Sequence, residues 1–228
     1  PLWKGLNLML SPGNFIGLIG NNGVGKSTVL KTICGILPPL GGSIMLGNKK
    51  VSDYDHRELS KLVSVVLTDK VEGFNLRIYD LVAAGRYPYT NYLGELTVAD
   101  RELIEKYISL CGIDHIKYKN ISEVSDGERQ KAMIAKALTQ QTPLILLDEP
   151  TAFLDYSSKN NVTELLKNIA HQENKIVILS SHDLEMLLRN VDYCLLLGSE
   201  NKSVFGTPKE ILETEEMKRS IGNFKFAL

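Results

Sequence analysis

The 228-residue chain has no unbroken apolar run near the roughly 20 residues that a membrane-spanning helix needs. The stretches ending at Leu147 and around 195–197 are far shorter. No basic-then-apolar segment of the kind that directs export opens it, so a chain that neither crosses a membrane nor carries an export signal is expected. Net charge is nearly absent. Lys and Arg total 26 against 27 Asp and Glu, a formal charge of -1, which excludes a general attraction to nucleic acid while leaving room for a local basic patch. Cysteine is scarce: Cys34, Cys111 and Cys194 are scattered and odd in number. That spacing excludes a disulfide framework and paired metal ligands, and predicts buried thiols. Internal repeats and low-complexity segments are absent too. The first residue is Pro1, not Met, and the alternating Leu2, Leu6, Leu8 and Leu10 predict an edge strand entered partway, with some N-terminal residues expected upstream.

What is present alternates between short apolar runs and helical patterns, the mark of an α/β architecture with a largely parallel sheet. Strands are predicted over 15–19, 43–46, 62–67, 144–147, 176–179 and 193–197, with Gly47-Asn48 as a hairpin turn. A helix is predicted over about 26–36, from the spacing of Val29, Leu30, Ile33 and Ile36, stopped by Pro38 and Pro39. From about 78 to 141 the pattern is helical without a convincing strand. A helical insertion inside a nucleotide-binding core accounts for this most simply.

Residues 20–28 read GNNGVGKST, a G-x-x-x-x-G-K-[ST] motif between an apolar strand and an amphipathic helix. Gly20, Gly23 and Gly25 let the backbone curl around a phosphate, with Asn21, Asn22 and Val24 between them. The following helix adds its positive end, and Lys26 supplies a compact charge to the outer phosphates of ATP. Ser27, followed by Thr28, can offer a hydroxyl to Mg²⁺. Farther on, LILLDEP brings Asp148 and Glu149 to the C-terminal end of a strand, where open α/β sheets bind ligands. Asp148 suits Mg²⁺, through water; Glu149 suits the proton of an attacking water.

Between these motifs lies VSDGERQKAMIAKAL, residues 124–138, and Ser125 with Glu128 forms a capping-box pattern at a helix start. This string resembles the signature motif of ABC ATPases. PTAFLD, ending at Asp155, resembles the D-loop of that family, and SSHD places His182 where the family has its switch histidine. The resemblance covers essentially the whole chain. It implies a P-loop NTPase core of mostly parallel sheet with an antiparallel β edge region and a helical insertion. One domain is expected over 1–228, with a RecA-like core at about 1–70 and 142–228 and a helical subdomain at about 71–141.

The resemblance further implies a head-to-tail dimer, or a pair of ATPase subunits, enclosing two ATP molecules. Lys26, Ser27, Asp148, Glu149 and His182 of one chain would face Ser125, Gly127 and Glu128 of the other. LVAAGRYPY (81–89) and GTPKEIL (206–212) resemble segments of ATPases serving iron-siderophore, haem and cobalamin importers. The implied partners are membrane permease subunits with an extracytoplasmic substrate-binding protein, and the implied place is the cytoplasmic face of the membrane. A soluble ABC ATPase, a weakly hydrolysing regulatory subunit and an ABC subunit for another substrate are the competing readings.

Two positions depart from the family. Asp69 stands where a Gln normally approaches Mg²⁺; it either reaches the metal through water or caps a loop. Asp126 replaces the first signature glycine, and its side chain is expected to turn away from the nucleotide. The family's adenine-stacking aromatic falls before Pro1, leaving Trp3 as a packing residue.

Overall fold

The computed structural model describes residues 5–67, 76–198 and 202–221. The principal sheet contains β1 (Phe15–Gly20), β4 (Val63–Val66), β5 (Leu144–Leu147), β6 (Ile176–Ser180), β7 (Tyr193–Leu197) and β8 (Ser203–Gly206), and a separate hairpin pairs β2 (Met45–Leu46) with β3 (Lys49–Lys50). Strand order is β4-β5-β6-β1-β7-β8. All neighbours are parallel except β8, which runs antiparallel at the edge. The helices are α1 (Lys26–Ile33), α2 (His56–Ser60), α3 (Ile78–Ala83), α4 (Val98–Leu110), α5 (Asp126–Thr139), α6 (Tyr156–Gln172), α7 (Leu184–Asn190), α8 (Pro208–Glu213) and α9 (Glu215–Ile221).

Both faces of the sheet are apolar, so its central strands read as continuous hydrophobic runs. Phe15, Ile19, Ile145, Leu147, Val177, Leu179 and Leu196 point to one face and join a core shared with α3 through α7. Ile16, Leu18, Leu144, Leu146, Ile178 and Leu195 point to the other and meet Val29 and Leu30 of α1. Gly17 permits close approach of α7: a Cβ there would lie 2.3 Å from Cδ2 of Leu187. Helices α3, α4 and α5 follow β4 and precede β5, and their buried residues are continuous with the first core.

Several boundaries differ from expectation. Helix α1 stops at Ile33, three residues early, because Gly35 takes φ 77 and Leu37 N–H turns back to the Lys31 carbonyl. Ile36 continues the apolar spacing yet is 53% exposed. The 43–46 strand contracts to two residues. Residues 5–12 form no strand, although the alternation survives: Leu8 and Leu10 pack against the second core while Met9 faces out. The antiparallel edge is supplied by β8 instead. The three cysteines are free and buried.

Candidate active site

The loop after β1 curls as its glycines allow. Gly20 leaves no room for a side chain, since a Cβ would sit 2.6 Å from the Leu197 carbonyl. Val24 N–H closes a turn onto Asn21 O at 3.2 Å. Gly25 caps α1 in the left-handed region, φ 106, a conformation that costs a side-chain-bearing residue roughly 1–2 kcal/mol. The loop thereby delivers Lys26, only 6% exposed, with its Nζ donating to Gly20 O at 2.8 Å and Asn21 O at 3.3 Å. Burial lowers the pKa of this ammonium, and the nearby charges of Glu149 and Asp148 act in the opposite direction. Ser27 and Thr28 follow in the first turn, and Asn21 and Asn22 are exposed.

Strands β5 and β6 are in register, Leu147 beside Leu179, so the residues after them meet. Asp148 is buried; its Oδ1 accepts from Ser180 Oγ at 2.7 Å, while its Oδ2 is buried with no hydrogen-bond partner. Such an oxygen is costly unless something fills its coordination, and a hard cation or ordered water suits it. Glu149 N–H donates to the same Ser180 Oγ at 2.9 Å. Glu149 adopts φ 51, rare for a residue with a side chain, and its carboxylate lies 2.5 Å from Nε2 of His182. Ser180 therefore fixes both acids. The sequence offered only a faint sign of it, a polar residue ending an apolar strand.

Among the described residues no cluster of three or more His, Cys, Asp and Glu could hold a metal unaided. A cation here would take one or two protein oxygens and complete its shell with phosphate and water, the habit of Mg²⁺. Asp148 and Ser27 fit that set. Asp69 and Trp3 lie outside the described residues.

The structure thus brings Lys26, Asp148, Glu149 and His182 together at the C-terminal ends of β1, β5 and β6. The signature residues and Asp155 are engaged elsewhere. Ser125 caps α5 in a complete capping box with Glu128. Asp126 is drawn to Arg129 at 2.6 Å. Gly127 packs against the D-loop, where a Cβ would lie 3.0 Å from Phe153 O. Asp155 caps α6, accepting from Ser158 N–H at 2.8 Å, and its carboxyl is held below the usual range by Ser158, backbone bond first.

The segment 81–89 forms the end of α3 and a 3-10 turn, Ala84–Tyr89. Gly85 lets it touch α5, for a Cβ would meet Lys136 O at 2.4 Å. Arg86 is buried, pairs with Asp100 at 2.7 Å, donates to Thr139 O at 3.0 Å and lies over the Tyr89 ring. Tyr87 and Tyr92 are left exposed.

A family model described as ABC transporter matches residues 3–152. An uncharacterised ABC transporter ATP-binding protein of Methanocaldococcus jannaschii is 40% identical over 212 residues, spanning 93% of this chain and 73% of its own length. The ferric enterobactin transport ATP-binding protein of Escherichia coli (strain K12) is 30% identical over 219 residues, spanning 96% of this chain and 81% of its own. A solved structure of a metal-chelate type ABC transporter in an inward-facing conformation superposes with a TM-score of 0.82 at 27% identity, over 96% of this chain and 81% of that chain.

Proposed function

This chain belongs to the ABC transporter family as an ATPase subunit, and from that premise we propose that it drives an importer of an iron chelate, haem or cobalamin. The direction and cargo class rest on the resemblance of the 81–89 and 206–212 strings to importer ATPases, and the iron chelate also on the name of the ferric enterobactin relative. The partners in this reading are permease subunits, served by an extracytoplasmic binding protein, at the cytoplasmic face of the membrane. Among the described residues no helix is long and apolar enough to cross a membrane.

The observation that carries the catalytic reading is the unpartnered Oδ2 of Asp148 beside a buried Lys26. In this proposal the backbone of Gly20, Asn21, Asn22, Gly23, Val24 and Gly25 wraps the phosphates, with Ser27 and Thr28 at the helix start. Lys26, now satisfied by Gly20 O and Asn21 O, turns its charge to the outer phosphates. Ser27 and Asp148 would hold Mg²⁺, with Asp69 as a further candidate. The bound ion supplies charge neutralisation for the departing phosphates. Glu149 orients the attacking water and takes its proton, and His182, already against Glu149, contacts the γ-phosphate.

Ser125, Gly127 and Glu128 present a helix start to the ATP of a second copy. Arg129 holds the Asp126 carboxylate, which suits the expectation that it turns from the nucleotide. Division into a RecA-like core and a helical subdomain at about 71–141 belongs to the same proposal.

Two variants test it. Lys26→Ala is expected to abolish Mg²⁺-dependent ATP turnover. Glu149→Gln is expected to retain ATP and sediment as an ATP-dependent dimer when the permease is present. Near-normal turnover in the first, or a strictly monomeric second, overturns the reading.

A further inference from the structure

Ser125 is less free than its exposed position suggests. Its Oγ donates to Glu128 Oε2 at 2.8 Å, and its N–H donates to the same oxygen at 2.9 Å. A carboxylate only accepts, so the single hydroxyl proton of Ser125 is committed to Glu128. To donate to a phosphate, that hydroxyl must first turn away from Glu128. The other carboxylate oxygen, Oε1, lies 3.2 Å from Nε2 of His115. By the same argument Nε2 carries the proton of that contact.

His115 comes from a different part of the chain. It sits on a 3-10 turn, Asp114–Ile116, between the buried Ile113 and Ile116. Ile113 N–H is tied to Ile108 O at the end of α4. The imidazole therefore meets Glu128 from a support outside the first turn of α5. The Glu128 carboxyl is held below its usual range by the Ser125 bonds first and by His115 after them.

We infer that His115 is a positioning residue for Ser125: by bonding Oε1 of Glu128 it fixes that carboxylate and draws off part of its negative charge. This sets how readily the Ser125 hydroxyl turns from Glu128 to a phosphate held by a second copy of the chain. The inference rests on the head-to-tail reading above. Without His115, the carboxylate is looser and more basic, and it keeps the serine proton more firmly.

The full chain carrying His115→Ala is compared with His115→Gln, whose amide can still donate to Glu128. Readouts are kcat and KM for Mg²⁺-ATP, the melting temperature, and nucleotide-dependent dimerisation in a Glu149→Gln background. The alanine variant is expected to lose about 2- to 5-fold in kcat, the scale of one partly exposed charge-assisted contact, with weaker dimerisation and unchanged ATP affinity of the monomer. The glutamine variant is expected to recover most of both. Unchanged kcat and dimerisation in the alanine variant overturn the inference, as do equal losses in both variants that track a lowered melting temperature. Ser125→Ala separates the two levels. If it retains full turnover, the head-to-tail reading fails and this inference with it. If it abolishes turnover while His115→Ala is silent, only the role of His115 falls.

Discussion

At the residue scale, Glu149 is the most unusual position. Its φ of 51 places a side-chain-bearing residue where glycine is favoured, and strain of this kind costs on the order of 1–3 kcal/mol. The surroundings impose it: Ser180 Oγ accepts its N–H and His182 takes its carboxylate. If the strain is held for chemistry, removing it stabilises the fold while ending turnover. Glu149→Gly is therefore expected to be more stable than Glu149→Ala by about 1 kcal/mol in urea unfolding, with both variants inactive. Equal stabilities would show that the backbone is unstrained there. The acid itself was legible in the sequence, because an apolar strand ending in Asp-Glu after a phosphate loop has few other uses. Its backbone conformation and its anchor were not, since both arise from the pairing of β5 with β6, a contact between residues 31 apart in the chain.

At the scale of elements, β1, β4, β5, β6 and β7 were legible because burial leaves apolar runs, whereas β8, half-buried at the edge, carries no such run and was not anticipated. Helix α1 was overextended by three residues: Ile36 keeps the helical spacing, and Gly35 outweighs it. Residues 5–12 kept their alternation without a strand, because alternation reports which side chains face a core and not whether a neighbouring strand is present. Packing between elements was invisible. Gly17 lies inside the strand predicted over 15–19 with nothing in the sequence to mark its role, and it is the seat of Leu187. Gly17→Ala is expected to destabilise by about 1–3 kcal/mol through overpacking, and Leu187→Ala in the same chain to recover part of that loss. Additive losses in the double variant would mean that the contact is not what limits the site.

The Arg86–Asp100 pair also belongs to this scale, since it joins the turn after α3 to the start of α4 and to the end of α5. Burial by itself raises the Asp100 carboxyl; the Thr97 hydroxyl and amide, then Arg86, outweigh it and hold the group below its ordinary range. A carboxyl depressed on folding contributes stability above its unfolded pKa, and that contribution is lost as pH falls through the folded value. Asp100→Asn is thus expected to be less stable than the parent at neutral pH, with the gap narrowing on acidification below the ordinary carboxyl range. Denaturant midpoints across that range measure it. A gap independent of pH would assign the loss to packing alone.

For the whole molecule, the question is whether the helical segment between β4 and β5 unfolds apart from the sheet. The resemblance to a known family suggested a subdomain, and sequence periodicity could say only that the segment is helical. The structure adds a continuous apolar core running from Phe15 and Ile145 on the sheet through Ile78, Leu81, Ile104, Ile108 and Ala132 on α3, α4 and α5. A polar tie reinforces it. Tyr107 on α4 accepts from Gln141 Nε2 at 2.6 Å and donates to Glu173 Oε1 at 3.1 Å, beside the end of α6. Burial, with Glu173 beside it, pushes the Tyr107 hydroxyl well above the ordinary tyrosine range, so it stays protonated as a donor at any working pH. Continuity of this core means that opening the helical segment exposes one face of the sheet, and the two parts stabilise each other. A single cooperative transition is therefore expected, with the far-ultraviolet signal of the backbone and the near-ultraviolet signal of the tyrosines falling together in urea. Tyr107→Phe is expected to shift that transition by about 1–3 kcal/mol without splitting it. An earlier tyrosine transition that leaves the sheet signal intact would make the helical segment an independent folding unit, and its motion relative to the core would then have to be treated as a hinge between two bodies.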